Sequence, residues 1–164
     1  MKLKIILTCL FAIVTLNFHS QSNSQPYFKF PDAIGYVNDF EGILKQGQID
    51  HLNRMIVKHE KLTTNEIAIV TIESYAPYKT LFDYSLDLGN YWGTGKAGKN
   101  NGILIVFGKQ IREVRIQVGK GLEDKLTNEE AKYIIDQYMV PKFKKGKFYT
   151  GIKKGLVKIM KEIK

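Results

Sequence analysis

Three carboxylates and one cationic loop are the residues whose types and spacing could do chemistry. Asp39 sits in Val37-Asn38-Asp39, read as a turn ahead of a helix, while Glu123 and Asp124 follow the glycines Gly119 and Gly121. Carboxylate oxygens suit Ca²⁺ or Mg²⁺, yet each of these three, taken alone, fits a helix cap or a turn. Composition and spacing therefore reach only as far as an oxygen-ligand cluster. The loop Gly93-Thr94-Gly95-Lys96-Ala97-Gly98-Lys99-Asn100 has the spacing of a phosphate-binding loop but puts Asn100 where Ser or Thr would meet magnesium. It also follows a helix and leads into a strand, the reverse of the order that aims a helix N-terminus at phosphate. A Walker-type loop is excluded. What remains is a flexible, cationic glycine loop in which Lys96 and Lys99 can meet an anion.

Histidine and cysteine chemistry drop out. His51 and His59 fall on one helix, about 12 Å apart along its axis, too far to share a metal; both read as surface residues. No Ser–His–Asp arrangement is legible. The single cysteine, Cys9, lies inside an apolar run near the start of the chain. That run, Ile5 to Leu16, follows Lys2 and Lys4 and precedes the small and polar residues around Ser20 and Ser22. A charged stretch, an apolar stretch and small residues in that order make a signal peptide over residues 1–22, too short to span a bilayer. Its removal lowers the formal charge from +9 to +7 and leaves no cysteine. The mature chain is thus expected to be exported, periplasmic or extracellular, with no disulfide, thiolate chemistry or cysteine-ligated metal.

The surplus charge is carried by lysine; only three of the 25 basic residues are arginine. Nucleic-acid readout favours arginine forks with aromatics in one patch, so no nucleic acid is expected. Anionic partners such as phosphate esters or nucleotides fit the charge.

The elements that must position these groups follow from periodicity. Residues 23–36 form an extended polar, proline-marked segment, and residues 37–164 a single domain. Gln46 to Glu60 reads as a helix with Ile49, Leu52 and Ile56 on one face. Glu66 to Ile72 and Gly102 to Phe107 read as buried strands, with a helix from Tyr78 to Trp92 between them. Arg112 to Val118, in which Val114, Ile116 and Val118 alternate with polar residues, completes a hairpin. Thr127 and Glu130 make a capping box for a helix that buries Ala131, Ile134, Ile135 and Tyr138 and stops at Pro141. A last helix, about Phe148 to Lys161, has one apolar and one lysine face, which leaves room for weak membrane-surface contact. The fold class is α/β: a small mixed sheet with a βαββ core, sandwiched by helices on both faces. Ligands in such sheets gather beyond the carboxyl ends of the parallel strands.

In order, several landmarks resemble the TPM domain family, whose members include thylakoid-lumen proteins of photosystem repair and many exported bacterial proteins. They are Val37-Asn38-Asp39 with Gly42-Ile43-Leu44, Tyr91-Trp92-Gly93-Thr94-Gly95 and Asn100-Asn101-Gly102-Ile103-Leu104. Arg112-Glu113-Val114-Arg115-Ile116, Gly119-Lys120-Gly121-Leu122-Glu123, Pro141-Lys142-Phe143-Lys144 and Gly146-Lys147-Phe148 follow. The resemblance implies a mixed sheet with helices on both sides and acid-phosphatase-like or nucleotide-hydrolysing activity. It also implies a divalent cation, Ca²⁺ or Mg²⁺, held by loops at one end of the sheet. By that resemblance Asp39, Asn101 and Glu123 are metal ligands, with Asp124 a looser fourth. Asp39, Glu123 and Arg112 are then catalytic, Arg112 fitting a structural pair equally well, and Lys96, Lys99 and Trp92 line the substrate site, with a core anchor the better fit for Trp92. The implied substrate is a phosphorylated small molecule or nucleotide. The alternative is a non-enzymatic Ca²⁺-binding module that assists assembly or repair of envelope complexes. Many bacterial relatives carry a transmembrane segment and glycine-rich tail after the domain. Neither follows here, so a freely soluble monomer is expected.

Overall fold

The computed structural model describes residues 28–164, so the signal-peptide reading of residues 1–22 lies outside the described residues. Four strands form one sheet in the order β1-β2-β3-β4: β1 (Val37–Asp39), β2 (Glu66–Thr71), β3 (Gly102–Gly108) and β4 (Glu113–Val118). The first three are parallel and β4 is antiparallel to β3. The βαββ expectation thus gains a strand. Val37 to Asp39 is not a turn but the short β1, pairing Val37 with Ile69 and Asp39 with Thr71. Three residues are too few to display alternation.

α1 (Gln46–Thr63) connects β1 to β2, and α2 (Leu81–Trp92) connects β2 to β3. α2 starts later than its apolar period indicates, because the Thr80 hydroxyl caps it by accepting from the Asp83 N–H. Alternate side chains of the strands feed two cores. Ile67, Ile69, Ile103, Ile105 and Phe107 face Leu52 and Ile56 of α1 and Ile152, Leu156 and Ile159 of the last helix. Ala68, Val70, Leu104 and Val106 face Leu81, Tyr84 and Leu88 of α2. Helices therefore cover both faces. The strands step one way across the sheet, yet α1 and α2 lie on opposite faces. The two crossovers accordingly have opposite hands, and one departs from the right-handed rule.

The C-terminal third packs on the α1 face. α3 (Asn128–Ile134) begins at the capping box, with the Thr127 hydroxyl accepting from Glu130 N–H and the Glu130 carboxylate from Thr127 N–H. The helical path does not stop at Pro141. A π-helical turn, Ile135–Met139, widens the coil, and α4 (Val140–Phe143) restarts with Pro141 in its first turn, where a missing N–H costs nothing. The extra residue in the turn rotates the buried face: Met139 is fully buried, while Ile135 and Tyr138 are only half-buried. α5 (Phe148–Glu162) lays Gly151 and Gly155 against Phe143 and Met139.

His59 departs from the surface reading, while His51 is half-buried with its Nδ1 against the Tyr149 hydroxyl. His59 is 7% exposed on the inner side of α1, and its Nε2 has no hydrogen-bond partner among the described residues. Burial pushes its pKa below the usual 6.5, and the nearby Lys164 ammonium adds to the depression. A base with a depressed folded pKa binds its proton more readily when unfolded. Stability is therefore complete above about pH 6.5 and falls as pH drops toward the folded value. Thermal melts between about pH 7.5 and pH 5 are expected to show this loss in the native chain and a flatter profile in His59→Leu. Equal slopes would remove His59 as the cause.

Candidate functional site

The carboxylates expected to share a cation stand at opposite ends of the sheet. Asp39 closes β1 at the carboxyl ends of the parallel strands, where its Oδ1 accepts from the Thr71 hydroxyl at 2.7 Å and its Oδ2 from Leu44 N–H at 2.7 Å. Arg112 lies at the same end, exposed in the β3–β4 hairpin with a φ of 56°. Asn101 precedes β3 and Glu123 follows β4, both at the other end. The six-residue run of β3 between these levels separates them by roughly 20 Å. Asp39, Asn101 and Glu123 cannot ligate one ion, and no group of three His, Cys, Asp or Glu among the described residues is placed to hold a metal. The implied ligand set does not fit a single cation.

Asn101 has another task. It is 5% exposed; its Nδ2 donates to Thr64 O and Asn65 Oδ1, and its Oδ1 accepts from Lys96 N–H at 2.9 Å. Asn65 in turn donates to Ile163 O at 2.6 Å. The amides fasten the glycine loop and the end of α5 to the start of β2.

The same loop is held by charge. Gly95 N–H donates to Glu66 Oε2 at 2.7 Å, and the Lys96 ammonium bridges Glu60 at 2.8 Å and Glu66. Those two carboxylates push the Lys96 pKa up, while Lys96 and the Tyr36 hydroxyl pull the Glu60 pKa down. Lys96 is thus committed within the protein and the loop is pinned, contrary to the flexible reading. Lys99 reaches only Thr64 Oγ1, at 3.4 Å, and is otherwise exposed. Trp92 is the core anchor: its Nε1 donates to Pro31 O at 2.8 Å, and the half-buried side chain packs against the α2 core.

A cleft of about 520 Å³ opens on the α2 side, between that helix, β4 and the N-terminus of α3. Leu104 and Gly102 line its inner side, and Arg115, Gln117, Lys120 and Glu123 contribute its charged and polar groups, with Asn90, Asn100 and Asn128 around them. Its far wall exists because two glycines let strand and loop touch. Gly119 N–H donates to Gly102 O at 2.8 Å and Gly121 N–H to Asn100 O at 3.0 Å. A Cβ on Gly119 would run into Asn100 O, and one on Gly121 into Lys99 O. The 3₁₀ turn Lys120–Leu122 that follows puts Leu122 into the core and leaves Lys120 and Glu123 exposed at the cleft.

Arg115 is the residue that motif reading passed over. On β4, Val114, Ile116 and Val118 face the α1 core, so Arg115 and Gln117 must face α2. That alternation was the available signal. The half-buried guanidinium lies 4.3 Å from the Phe82 ring centroid and donates from Nε to Gln117 Oε1 at 3.1 Å. Its terminal nitrogens have no acceptor among the described residues. Burial lowers the Arg115 pKa, a cost to the cation that a bound anion would offset. The arrangement therefore pairs two cations for an anion with one carboxylate able to take a proton. Of the expected residues only Glu123 stands on it; Asp124 is its exposed neighbour in sequence.

A sequence model of the TPM domain matches residues 37–162. The N-terminal domain of a P. gingivalis protein, solved by solution NMR, is 31% identical, with 77% of this chain and 80% of that one covered at a TM-score of 0.71. The BA42 protein of the psychrophilic bacterium Bizionia argentinensis is 21% identical over 76% of this chain and 83% of its own, TM-score 0.64. The N-terminal domain of a Corynebacterium glutamicum protein is 14% identical over 84% and 86%, TM-score 0.61. At those lower identities the likeness speaks for the fold alone. No curated protein matches the chain.

Proposed function

This chain belongs to the TPM domain family, and from that premise we propose that it is an exported phosphohydrolase acting on phosphate monoesters or anhydrides in the α2–β4 cleft. The observation that carries the reading is the shared lining of one cleft by the half-buried Arg115, Lys120 and Glu123. Arg115 offers its free terminal N–H groups to two phosphoryl oxygens, the bidentate geometry that guanidinium suits. Lys120 adds a compact positive charge beside them. Glu123 accepts the proton of a water whose oxygen bonds to phosphorus as the bond to the leaving oxygen breaks. The leaving oxygen regains a proton from solvent. Phe82 and Leu86, exposed on α2 beside Arg115, give the ester's organic part an apolar shelf.

A Ca²⁺ or Mg²⁺ ion was expected at Asp39, Asn101 and Glu123, and these do not converge; no step is assigned to it. Export rests on the charged and apolar pattern of residues 1–22. Among the described residues no helix is long and apolar enough to cross a membrane.

The test is phosphate release from nitrophenyl phosphate and from ATP by the purified chain, with added Ca²⁺ or Mg²⁺ and with chelator. Turnover that saturates with either substrate supports the reading, and its survival in chelator marks the cleft as sufficient without a cation. Ca²⁺ binding with no turnover of either ester would replace the hydrolase with a metal-binding interaction module.

A further inference from the structure

We propose that the joint outer face of α1 and α5 docks on an anionic lipid bilayer. The two helices lie side by side and run the same way: His51 meets the Tyr149 hydroxyl near their starts, and Asn65, just past α1, donates to Ile163 O near the end of α5. Their inner faces are spent on the sheet, with Leu52, Ile56, Ile152, Leu156 and Ile159 fully buried. Outward, α1 presents Arg54, Lys58 and Lys61, and α5 presents Lys154 and Lys161. None of these five pairs with a carboxylate among the described residues, whereas Lys29, Lys96 and Lys132 all do. The charge is dense as well: residues 142–164 hold nine lysines and one acid, Glu162.

Apolar groups stand among these cations. Leu62 at the end of α1 is 76% exposed and Val157 of α5 is 48% exposed. A row of lysines flanking bare aliphatic tips is what an interfacial helix shows, the cations meeting headgroup phosphates and the tips entering the acyl boundary. Nucleic acid fits less well. The face carries one arginine, and of the tyrosines beside it Tyr138 is covered by Lys158 at 4.6 Å and Tyr149 is engaged by His51, a poor platform for a base. A bilayer with anionic headgroups offers negative charge and apolar depth together.

Co-sedimentation of the full chain with phosphatidylcholine vesicles, with and without phosphatidylglycerol, tests this. Binding is expected only to vesicles containing phosphatidylglycerol, and it should weaken as salt is raised. Each unit of positive charge held at such a surface strengthens partitioning roughly fivefold. The pair Lys58→Glu and Lys154→Glu exchanges two positive charges for two negative ones and is therefore expected to lower the partition coefficient roughly 600-fold. A charge-matched pair on other surfaces, Lys79→Glu and Lys109→Glu, is expected to change it by less than about threefold, and Leu62→Gln to weaken it several-fold. Equal loss in both pairs, equal binding to phosphatidylcholine alone, or retention on heparin without vesicle binding would each overturn the proposal. The wild-type salt and lipid dependence decides the matter even where a variant folds poorly.

Discussion

Glu123→Gln is expected to lower kcat for phosphate-ester hydrolysis by about 10²–10⁴-fold, the usual worth of a positioned general base, while its melting temperature stays near that of the native chain. The carboxylate is exposed at the cleft and makes no hydrogen bond or ion pair among the described residues. Gln keeps the shape and removes the proton acceptor. KM should change little, because Arg115 and Lys120 still hold the ester. Arg115→Ala should divide the other way, raising KM roughly 10- to 100-fold through the loss of charged hydrogen bonds. Asp39→Ala provides the contrast. It leaves Leu44 N–H and the Thr71 hydroxyl without their acceptor, so it should lower stability and leave the kinetics of the folded protein intact. Steady-state assays of the three variants check the scheme together. If Asp39→Ala were inactive and Glu123→Gln fully active, the chemistry would belong at the carboxyl ends of the parallel strands instead.

Gly121→Ala is expected to destabilise the fold by about 1–3 kcal/mol and to disable the cleft together with it. The new methyl would meet the carbonyl oxygens of Lys99 and Asn100, backbone atoms of a loop already fixed by Asn101, Glu66 and Lys96. Neither side can yield cheaply. The expected readout is a melting temperature lower by roughly 5–10 °C, with weakened binding of phosphate esters in whatever fraction stays folded. Gly47→Ala is the matched control, since nothing stands within 4 Å of its Cβ position in the first turn of α1. That substitution should be neutral or stabilising, by up to about 1 kcal/mol. If both variants melted alike, the close approach at Gly121 would carry no energetic weight.

The fold was legible where pattern length allowed it. β3 is a seven-residue apolar run and α3 announces itself through its capping box, so both were readable. β1 was not, because three residues show no period and its pairing with β2 is a tertiary fact. Pro141 misled because the π-helical turn ahead of it supplies a fresh helix start, which no local propensity encodes. The site was less legible for a different reason. Nearness along a motif list says nothing about which end of a strand a residue occupies, and a parallel β1 sends Asp39 to the end opposite Glu123. Arg112 and Arg115 look equivalent in the string, yet one sits at an exposed hairpin tip and the other is turned by the pleat into the cleft. Buried His59 and Asn101 likewise hide in the sequence, since helix periodicity marks a face and cannot say what covers it.

The opposite hands of the two crossovers have an electrical consequence. They put the α1 and α5 lysines on one side of the sheet and the cleft on the other, with a helix layer and the sheet between, roughly 20 Å in all. At physiological ionic strength the screening length is about 8 Å, so the charge of the α1 and α5 lysines is not felt by an anion approaching Arg115 through solvent. The substrate meets a local pair of cations, while that lysine face looks elsewhere.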